Sequence, residues 1–312
     1  MTLKQSVCLP ILPLAGVDLD GFLAELAAIG YAAVEIWQRD ESLPELARLA
    51  LQHNLALASM VGHAALEDGL NNPANHDRIE AELRESIDVA VRHGVQGLIC
   101  FSGNRLAGMS DAEAIANTAA GLRRIAPYAE AQGVTLNLEL LNSKVDHPGY
   151  QCDHTAWGLA VLAQAPSPRV KLLYDIYHMQ IMEGDLIRNL TTYVGQIGHI
   201  HTAGNPGRQD LDEQQEINYA AVCRALAAAG YAGFVGHEFR PKGDVRPRCG
   251  RRTTFAAASE GLADPTGWLT RRVGQPLSGA APARAGEYRR GLRGRRPAPR
   301  RRCPGPPPGR GS

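Results

Sequence analysis

The sequence contains no apolar run that approaches the roughly 18 residues that a membrane-spanning helix requires. Its N-terminus also lacks a basic region followed by a long apolar core, so we expect no signal peptide. The six cysteines are scattered, and no two of them form a CxxC pair. In a chain of this size we interpret them as reduced structural thiols, and we expect a cytoplasmic protein without a membrane partner.

Glycine-rich phosphate-binding motifs are missing as well. The chain has neither a GxGxxG motif nor a P-loop. An open, doubly wound α/β sheet would normally carry such a glycine-rich turn after an early strand. This absence disfavours that architecture and favours other α/β folds.

Lysine is absent after residue 244, where the composition changes abruptly. Residues 245–312 contain 16 arginines, no lysine and three acidic residues, which gives a net charge of +13. Residues 1–244 contain 17 basic and 29 acidic residues, which gives −12. The net charge of +1 for the whole chain therefore conceals an acidic part, which disfavours nucleic acid as its partner.

The arginine, proline and glycine bias after residue 244 cannot form a core. We therefore expect residues 1–244 to form one folded domain and residues 245–312 a disordered basic tail. The tail is either an arm for nucleic acid or a membrane, or the product of a shifted reading frame; the missing lysine and the abrupt onset favour the second interpretation. It stands where the eighth helix of the fold described next should lie.

Short apolar strands alternate with helices along residues 1–244, as expected when both faces of a parallel sheet are covered. We predict eight strands, at residues 6–12, 31–37, 55–61, 97–101, 134–140, 170–174, 197–202 and 233–238. Seven helices are predicted between them, at residues 18–29, 43–53, 75–93, 111–132, 153–163, 184–194 and 218–229. This alternation predicts a (β/α)₈ TIM barrel, in which the carboxyl ends of the strands form the active-site face.

Residues that can bind a metal stand at the C-terminal ends of four predicted strands. They are Glu139, Asp175, His201 and Glu238, separated by 36, 26 and 37 residues. Such groups are costly to bury unless something pairs with them. In a barrel they would face one centre, and three carboxylates with one imidazole suit Mg²⁺ or Mn²⁺. The sequence therefore predicts a divalent metal site.

Glu139 and Glu238 also suit a proton-transfer reaction. One can remove a proton next to a carbonyl while the other returns a proton to the neighbouring carbon. The metal would chelate two oxygens and stabilise the ene-diolate between these states. We interpret the pair as catalytic residues as well as ligands; the alternative is that they only hold the metal.

Other residues near the strand ends are candidate substrate ligands. His178 follows Asp175 by three residues, in a predicted loop, and can contact a substrate oxygen. Arg208 lies in a loop rich in glycine and proline after His201, where it can pair with a substrate carboxylate through two hydrogen bonds. His63, after the third predicted strand, is a further candidate.

Four more titratable residues have less certain roles. Glu183 either orients one of the inner ligands or is an acid at a helix N-terminus. The direction of Glu35, within the second predicted strand, is open. We expect His199 and His237 to point away from the barrel centre, on the basis of strand alternation beside His201 and Glu238.

Four segments are similar to the hydroxypyruvate isomerase family, one of the xylose isomerase-like TIM barrels. They are residues 174–185 (YDIYHMQIMEGD), 198–208 (GHIHTAGNPGR), 216–219 (EINY) and 236–241 (GHEFRP). The resemblance implies a metal held by Glu139, Asp175, His201 and Glu238, with the two glutamates as the acid and base that interconvert hydroxypyruvate and tartronate semialdehyde. It also matches His178 and Arg208 to positions that touch substrate in related epimerases.

The sequence departs from this family at two places. His201 stands where hydroxypyruvate isomerases often have glutamine, as in the sugar epimerases. Residues 60–63 (MVGH) stand where the family has NLPxGDW. A 2-oxo-tetronate isomerase and a ketose 3-epimerase therefore remain alternatives, with a small hydroxy-oxo acid or a sugar as substrate.

Two further alternatives come from other functional classes. One is a nuclease of the endonuclease IV type, which would need more histidine ligands and a basic face. The other is a barrel that binds a small molecule without catalysis. A homo-oligomer is open in every case.

Overall fold

A computed structural model describes residues 2–243, in which eight parallel strands close into one barrel in chain order. Each strand pairs with the next, and the last returns to the first, where Lys4 lies opposite Phe234 and Val7 opposite His237. The strands are β1 (Lys4–Cys8), β2 (Ala33–Glu35), β3 (Ala56–Val61), β4 (Val95–Cys100), β5 (Thr135–Glu139), β6 (Val170–Asp175), β7 (Ile197–Thr202) and β8 (Phe234–His237). The predicted TIM barrel is confirmed.

Helices connect the strands on the outside of the barrel. Within residues 2–243 they are α1 (Leu19–Ile29), α2 (Leu43–Gln52), α3 (His76–His93), α4 (Asp111–Gln132), α5 (Thr155–Gln164), α6 (Ile176–Met182), α7 (Leu186–Thr192) and α8 (Tyr219–Ala228). Helix α4 begins with a capping box between Ser110 and Glu113 and ends at Gly133, whose φ of 73° is one that glycine adopts readily. None of these helices combines the length and apolar character needed to cross a bilayer.

Two local predictions were wrong. The first strand ends at Cys8 and not at residue 12, because Leu9–Ile11 forms a 3₁₀ turn around Pro10, which has no N–H for a strand ladder. His178 lies in helix α6 and not in a loop. This helix is only seven residues long and starts directly after Asp175, whose side chain accepts the backbone N–H of His178 as an N-cap. The expected tail at residues 245–312, which stands where a helix should follow β8, lies outside the described residues.

Helix α5 packs closely on β5 and β6 through Gly158. A Cβ at this glycine would meet methyl carbons of Leu172 and Leu140 at 2.8 and 3.0 Å, so a larger residue would push the helix outward. Both leucines are fully buried. This packing supports the two strands whose carboxyl ends carry Glu139 and Asp175.

Candidate metal centre and active site

The four predicted metal ligands come together at the carboxyl end of the barrel. Glu139 and Asp175 end β5 and β6, His201 lies near the end of β7, and Glu238 directly follows β8. Their ligand atoms all lie within 4.8 Å of one another, and none of the four residues is more than 5% exposed. The barrel thus joins into one cluster four residues that span 100 positions of the chain.

The ring nitrogen Nδ1 of His201 faces the three carboxylates. It lies 3.5 Å from Oε1 of Glu139, 3.5 Å from Oε2 of Glu238 and 4.0 Å from Oδ2 of Asp175. These distances exceed the roughly 2.7–2.9 Å of a charged hydrogen bond. This buried nitrogen makes no hydrogen bond within residues 2–243. Ligands of one ion, each about 2.0–2.3 Å from it, would be spaced in this way.

The charges around His201 favour a cation at this position. Burial alone would lower the pKa of the imidazole, but the carboxylates of Glu238 and Glu35 outweigh burial and hold its pKa well above the ordinary value. Burial also raises the pKa of Asp175 to about 7. A positive charge among these groups would relieve their mutual repulsion, so the residues fit a divalent ion.

A cavity of about 900 Å³ opens directly onto the cluster. Glu139, Glu238 and Arg208 lie on its wall. The apolar part of the wall includes Trp37 and Phe101. This volume is within the usual range for small-molecule sites, so the cluster is accessible to a small substrate.

The comparisons with known proteins agree with the barrel fold. Residues 23–264 match the family described as xylose isomerase-like TIM barrel. The chain belongs to this family. Within it, the chain groups with the hydroxypyruvate isomerases, and it is an isomerase.

Three similar proteins illustrate the relationship. This chain is 34% identical to a 2-oxo-tetronate isomerase of Cupriavidus necator, over 82% of this chain and 94% of that protein. It is 29% identical to a putative hydroxypyruvate isomerase of Homo sapiens over 73% of this chain and 87% of that protein. Among solved structures, an AP endonuclease of family 2 from Brucella melitensis is 25% identical, with a TM-score of 0.67 over 86% of this chain and 98% of that one.

Arg208 meets the cluster through Glu238. Its guanidinium donates a hydrogen bond to Oε2 of Glu238 and lies over the ring of Tyr177, 5.8 Å from the ring centroid. Burial disfavours the charge, but the carboxylates of Glu238 and Asp175 raise the pKa of Arg208 above its ordinary value, so the side chain remains a cation. The structure therefore places Arg208 at the site, where its closest partner is a candidate catalytic residue.

Trp37 is a second partner of Glu238 that the sequence analysis missed. Its indole N–H lies 3.2 Å from Oε1, the oxygen that Arg208 does not hold. Burial would raise the pKa of Glu238, but Arg208 and His201 outweigh it and hold the pKa well below the ordinary range. Trp37 ends the second predicted strand, so the strand-end rule that found the ligands could also have found this residue.

His178 directs its Nε2 toward the cluster, and Asn142 determines which of the two ring nitrogens carries the proton. The side-chain oxygen of Asn142 accepts the N–H groups of Val145 and Asp146 at 2.9 and 2.8 Å, so its NH₂ group faces Nδ1 of His178 at 2.6 Å. Because Nδ1 must accept this hydrogen bond, Nε2 carries the proton. Burial keeps the pKa of His178 well below its usual value, so the ring is neutral.

The protonated Nε2 of His178 points to the cluster of candidate metal ligands. It lies 3.7 Å from Oδ2 of Asp175 and makes no hydrogen bond within residues 2–243. A buried N–H group without a partner is costly, and a substrate oxygen could accept from it.

His63 lies on the cavity wall, but both of its ring nitrogens are engaged. Nδ1 lies 3.1 Å from the carbonyl oxygen of Ala64, and Nε2 accepts the backbone N–H of Phe101 at 2.9 Å. Burial lowers the pKa of His63 to about 4. His63 can shape the wall in this arrangement, whereas binding a substrate through a nitrogen would require one of these backbone bonds to break.

Histidine 199 does not point away from the barrel centre, so that expectation was wrong. Its Nε2 lies 3.0 Å from Oε2 of Glu35, which also contacts His201. Residues two apart in a strand share a face, so His199 and His201 point to the same side. His237 is adjacent to Glu238 in the chain. Its Nδ1 lies 2.8 Å from the hydroxyl oxygen of Thr202, and its Nε2 lies 3.0 Å from the side-chain oxygen of Gln5.

Glu183 follows α6 in the chain, and its side chain lies at the N-terminal end of α5. Its Oε2 accepts the backbone N–H of Thr155 at 3.1 Å, and its Oε1 accepts the Thr155 hydroxyl and the amide N–H of Asn189. These bonds stabilise the N-terminal end of the helix. Glu183 is thus an acid at a helix N-terminus, but at that of α5 and not at that of α7, the helix that follows it in the chain.

Proposed function

We propose that this isomerase requires a divalent metal, Mg²⁺ or Mn²⁺, and interconverts hydroxypyruvate and 2-hydroxy-3-oxopropanoate (tartronate semialdehyde). The observation that carries the proposal is the position of Glu139 and Glu238 around one imidazole, with Arg208 beside them at the cavity wall. The names of the relatives support the same reaction type.

The two glutamates would move one proton between neighbouring carbons. In hydroxypyruvate, one carboxylate removes a proton from C3, the carbon that bears the hydroxyl group, which leaves an ene-diolate. The other glutamate, in its protonated form, delivers a proton to C2, and the hydroxyl proton passes from the C3 oxygen to the C2 oxygen. The sum of these steps is tartronate semialdehyde, with no atom gained or lost. A bound divalent ion, held by the four ligands, would polarise the two substrate oxygens and stabilise the negative charge.

Glu238 suits the first role in the direction written. Arg208 and Trp37 each donate to one of its oxygens, and the lowered pKa keeps this group in the ionised form that a base requires. In the reverse reaction the two glutamates exchange these roles.

Arg208 and His178 would hold the substrate. A guanidinium pairs with a carboxylate through two parallel hydrogen bonds, so the acid group of the substrate would bind Arg208 while Glu238 retains Trp37. The protonated Nε2 of His178 can donate to a substrate oxygen at the reacting carbons. Both contacts favour an acid with a neighbouring carbonyl over a neutral sugar.

A second candidate substrate is 2-oxo-tetronate. The relative with 34% identity is a 2-oxo-tetronate isomerase, and the cavity of about 900 Å³ leaves room for a fourth carbon. The same carboxylate contact and the same proton transfer would serve this acid. A ketose has no carboxylate for Arg208, so in a ketose 3-epimerase Arg208 would keep Glu238 as its anionic partner. The net charge of −12 on residues 1–244 disfavours a nuclease.

The test is an activity assay on the full chain after removal of metal, and after loading with Mn²⁺ or Mg²⁺. The substrates are hydroxypyruvate, 2-oxo-tetronate and free ketoses. We expect metal-dependent turnover of one or both acids. Turnover of ketoses alone would make the protein an epimerase, and cleavage of abasic DNA would make it a nuclease. Metal binding without turnover of any of these compounds would favour a non-catalytic barrel.

A further inference from the structure

A second buried cluster lies next to the metal ligands, around Glu35 inside the barrel. Glu35 ends β2 and is 1% exposed. A buried carboxylate is tolerated only when hydrogen bonds and opposite charges compensate its lost hydration. The contacts of Glu35 within the barrel supply this compensation.

Two hydroxyl donors and two histidines surround the Glu35 carboxylate. The Ser6 hydroxyl donates to Oε1, and the Ser59 hydroxyl donates to Oε2 at 2.8 Å. Nε2 of His201 lies 2.9 Å from Oε2, and Nε2 of His199 lies 3.0 Å from the same oxygen. Both oxygens of Glu35 therefore accept hydrogen bonds from hydroxyl groups, and Oε2 also faces the two imidazoles.

Gly236 makes room for this arrangement. A Cβ at this position would lie 2.1 Å from Oε1 of Glu35 and 3.0 Å from Cδ2 of His201. A residue with a side chain would displace the carboxylate or the ring. Because Gly236 of β8 has no side chain, Glu35 can reach His201 across the barrel.

His201 is the residue that joins the two clusters. Its Nε2 is bonded to Glu35, while its Nδ1 faces Glu139, Asp175 and Glu238. An imidazole that binds a metal through one nitrogen is neutral and keeps its single N–H on the other nitrogen. Because both oxygens of Glu35 accept hydrogen bonds, we expect that N–H on Nε2 and the lone pair on Nδ1, the nitrogen that faces the three carboxylates.

We infer that Glu35 is a positioning residue of the metal centre, which sets both the tautomer and the ring orientation of His201. Glu35 does not touch the ion or the substrate; it acts through the histidine. Ser6 and Ser59 hold Glu35 in turn, so the support of the metal ligand begins on β1 and β3. The inference rests on the proposed function, because it requires that the cluster binds a metal.

The alternative role for Glu35 is a second metal site. Glu35, His199 and His201 also have ligand atoms within 4.8 Å of one another. That site would need the lone pair of Nε2 of His201, the nitrogen that the hydrogen bond to Glu35 keeps protonated. The number of ions bound per chain therefore separates a positioning residue from a ligand.

The experiment measures Mn²⁺ binding to the full chain by calorimetry, for the wild type, Glu35→Gln and Glu85→Gln. Glutamine preserves the shape of Glu35 but is neutral and a weaker acceptor. We expect one Mn²⁺ per wild-type chain and a dissociation constant raised about 10- to 100-fold in Glu35→Gln. Glu85, an exposed glutamate on the cavity wall that pairs with Arg39, is the matched control, and its variant should bind as the wild type does.

A second measurement reports on His201 itself. In ¹⁵N spectra of histidine-labelled, Mg²⁺-loaded protein, we expect His201 of the wild type to be protonated at Nε2 alone. Glu35→Gln should give faster exchange of that proton with water. A merely structural role for Glu35 would lower the unfolding temperature without changing this signal in the folded variant.

The other outcomes decide whether Glu35 positions His201 or is itself a metal ligand. If folded Glu35→Gln keeps the wild-type Mn²⁺ affinity and the wild-type His201 signal, the inference is overturned. Two ions per wild-type chain, with one lost in the variant, would make Glu35 a ligand. If the wild type binds no Mn²⁺ or Mg²⁺, the proposed function itself fails. Should Glu35→Gln not fold, Ser59→Ala replaces it, and an affinity equal to that of the wild type would again refute the positioning role.

Discussion

The side-chain NH₂ of Asn142 lies 2.6 Å from Nδ1 of His178. The amide cannot turn round, because its oxygen is held by two backbone N–H groups of the following turn. A loop after β5 therefore decides which nitrogen of a histidine in α6 carries the proton.

Asn142→Asp should reverse the proton position on His178. The carboxylate can only accept, so Nδ1 would become the protonated nitrogen and the neutral ring would present a lone pair to the substrate. The loss of one hydrogen bond, about 1 kcal/mol, predicts a fall in kcat/KM of about fivefold. Histidine ¹⁵N spectra show the tautomer directly. As a control, Asn72→Asp makes the same chemical change at the cap of a 3₁₀ turn and should leave both measurements unchanged. An unaltered His178 tautomer in Asn142→Asp would contradict the assignment.

Arg208→Ala should weaken the binding of an acid substrate more than that of a neutral one. A charged hydrogen-bond pair contributes about 1.5–3 kcal/mol, so KM for hydroxypyruvate or 2-oxo-tetronate should rise roughly 10- to 100-fold. The value of kcat should also fall, because Glu238 loses its cation. Arg39→Ala removes another arginine of the cavity wall, one that is already paired with Glu85, and should change KM less. An unchanged KM for both acids in Arg208→Ala would exclude Arg208 as the carboxylate ligand.

Glu139→Gln and Glu238→Gln should each block proton transfer. The loss of a general acid or base costs about 10²- to 10⁴-fold in rate. The measurement is the incorporation of solvent deuterium at the reacting carbons, made at saturating metal so that weaker metal binding does not enter the result. Glu82→Gln, at another glutamate of the cavity wall, serves as the control and should exchange at the wild-type rate. Exchange at the wild-type rate in Glu238→Gln would remove this residue from the proton-transfer step.

The free energy of unfolding should fall in acid because of His63. Its pKa is about 4 in the folded chain and about 6.5 when unfolded, so the unfolded state binds more protons between these values. The stability that neutral His63 provides is complete above pH 6.5 and is lost as the pH falls toward 4. Between pH 7 and pH 5 this loss is about 2 kcal/mol. Protonation would also deprive the N–H of Phe101 of its acceptor.

Urea unfolding at pH 7 and pH 5 measures this dependence. His63→Gln should be less stable than the wild type at pH 7 and should lose about 2 kcal/mol less on acidification. His154→Gln removes a half-exposed histidine and should keep the wild-type dependence on pH. An identical pH dependence in His63→Gln and the wild type would show that other groups cause the acid sensitivity.

The barrel and the positions of the four candidate ligands were determined by the sequence alone. The spacing of apolar residues and the length of each apolar run identify strands between amphipathic helices. In a parallel barrel the carboxyl ends of all strands lie on the same side. Glu139, Asp175, His201 and Glu238 could therefore be found from local patterns, without any knowledge of distances. The reason is that strand direction converts a position in the sequence into a position in space.

The partners of these ligands were decided only by the tertiary structure. Glu35 reaches His201 across 166 positions of the chain, and Trp37 reaches Glu238 across 201. Whether two such side chains meet depends on barrel closure, on β-strand register and on the absence of a side chain at Gly236. The tautomers of His178 and His201 depend in turn on these contacts, because a histidine proton resides on the nitrogen whose neighbour can accept it. No local pattern contains that information, since each contact joins elements that are far apart in the chain.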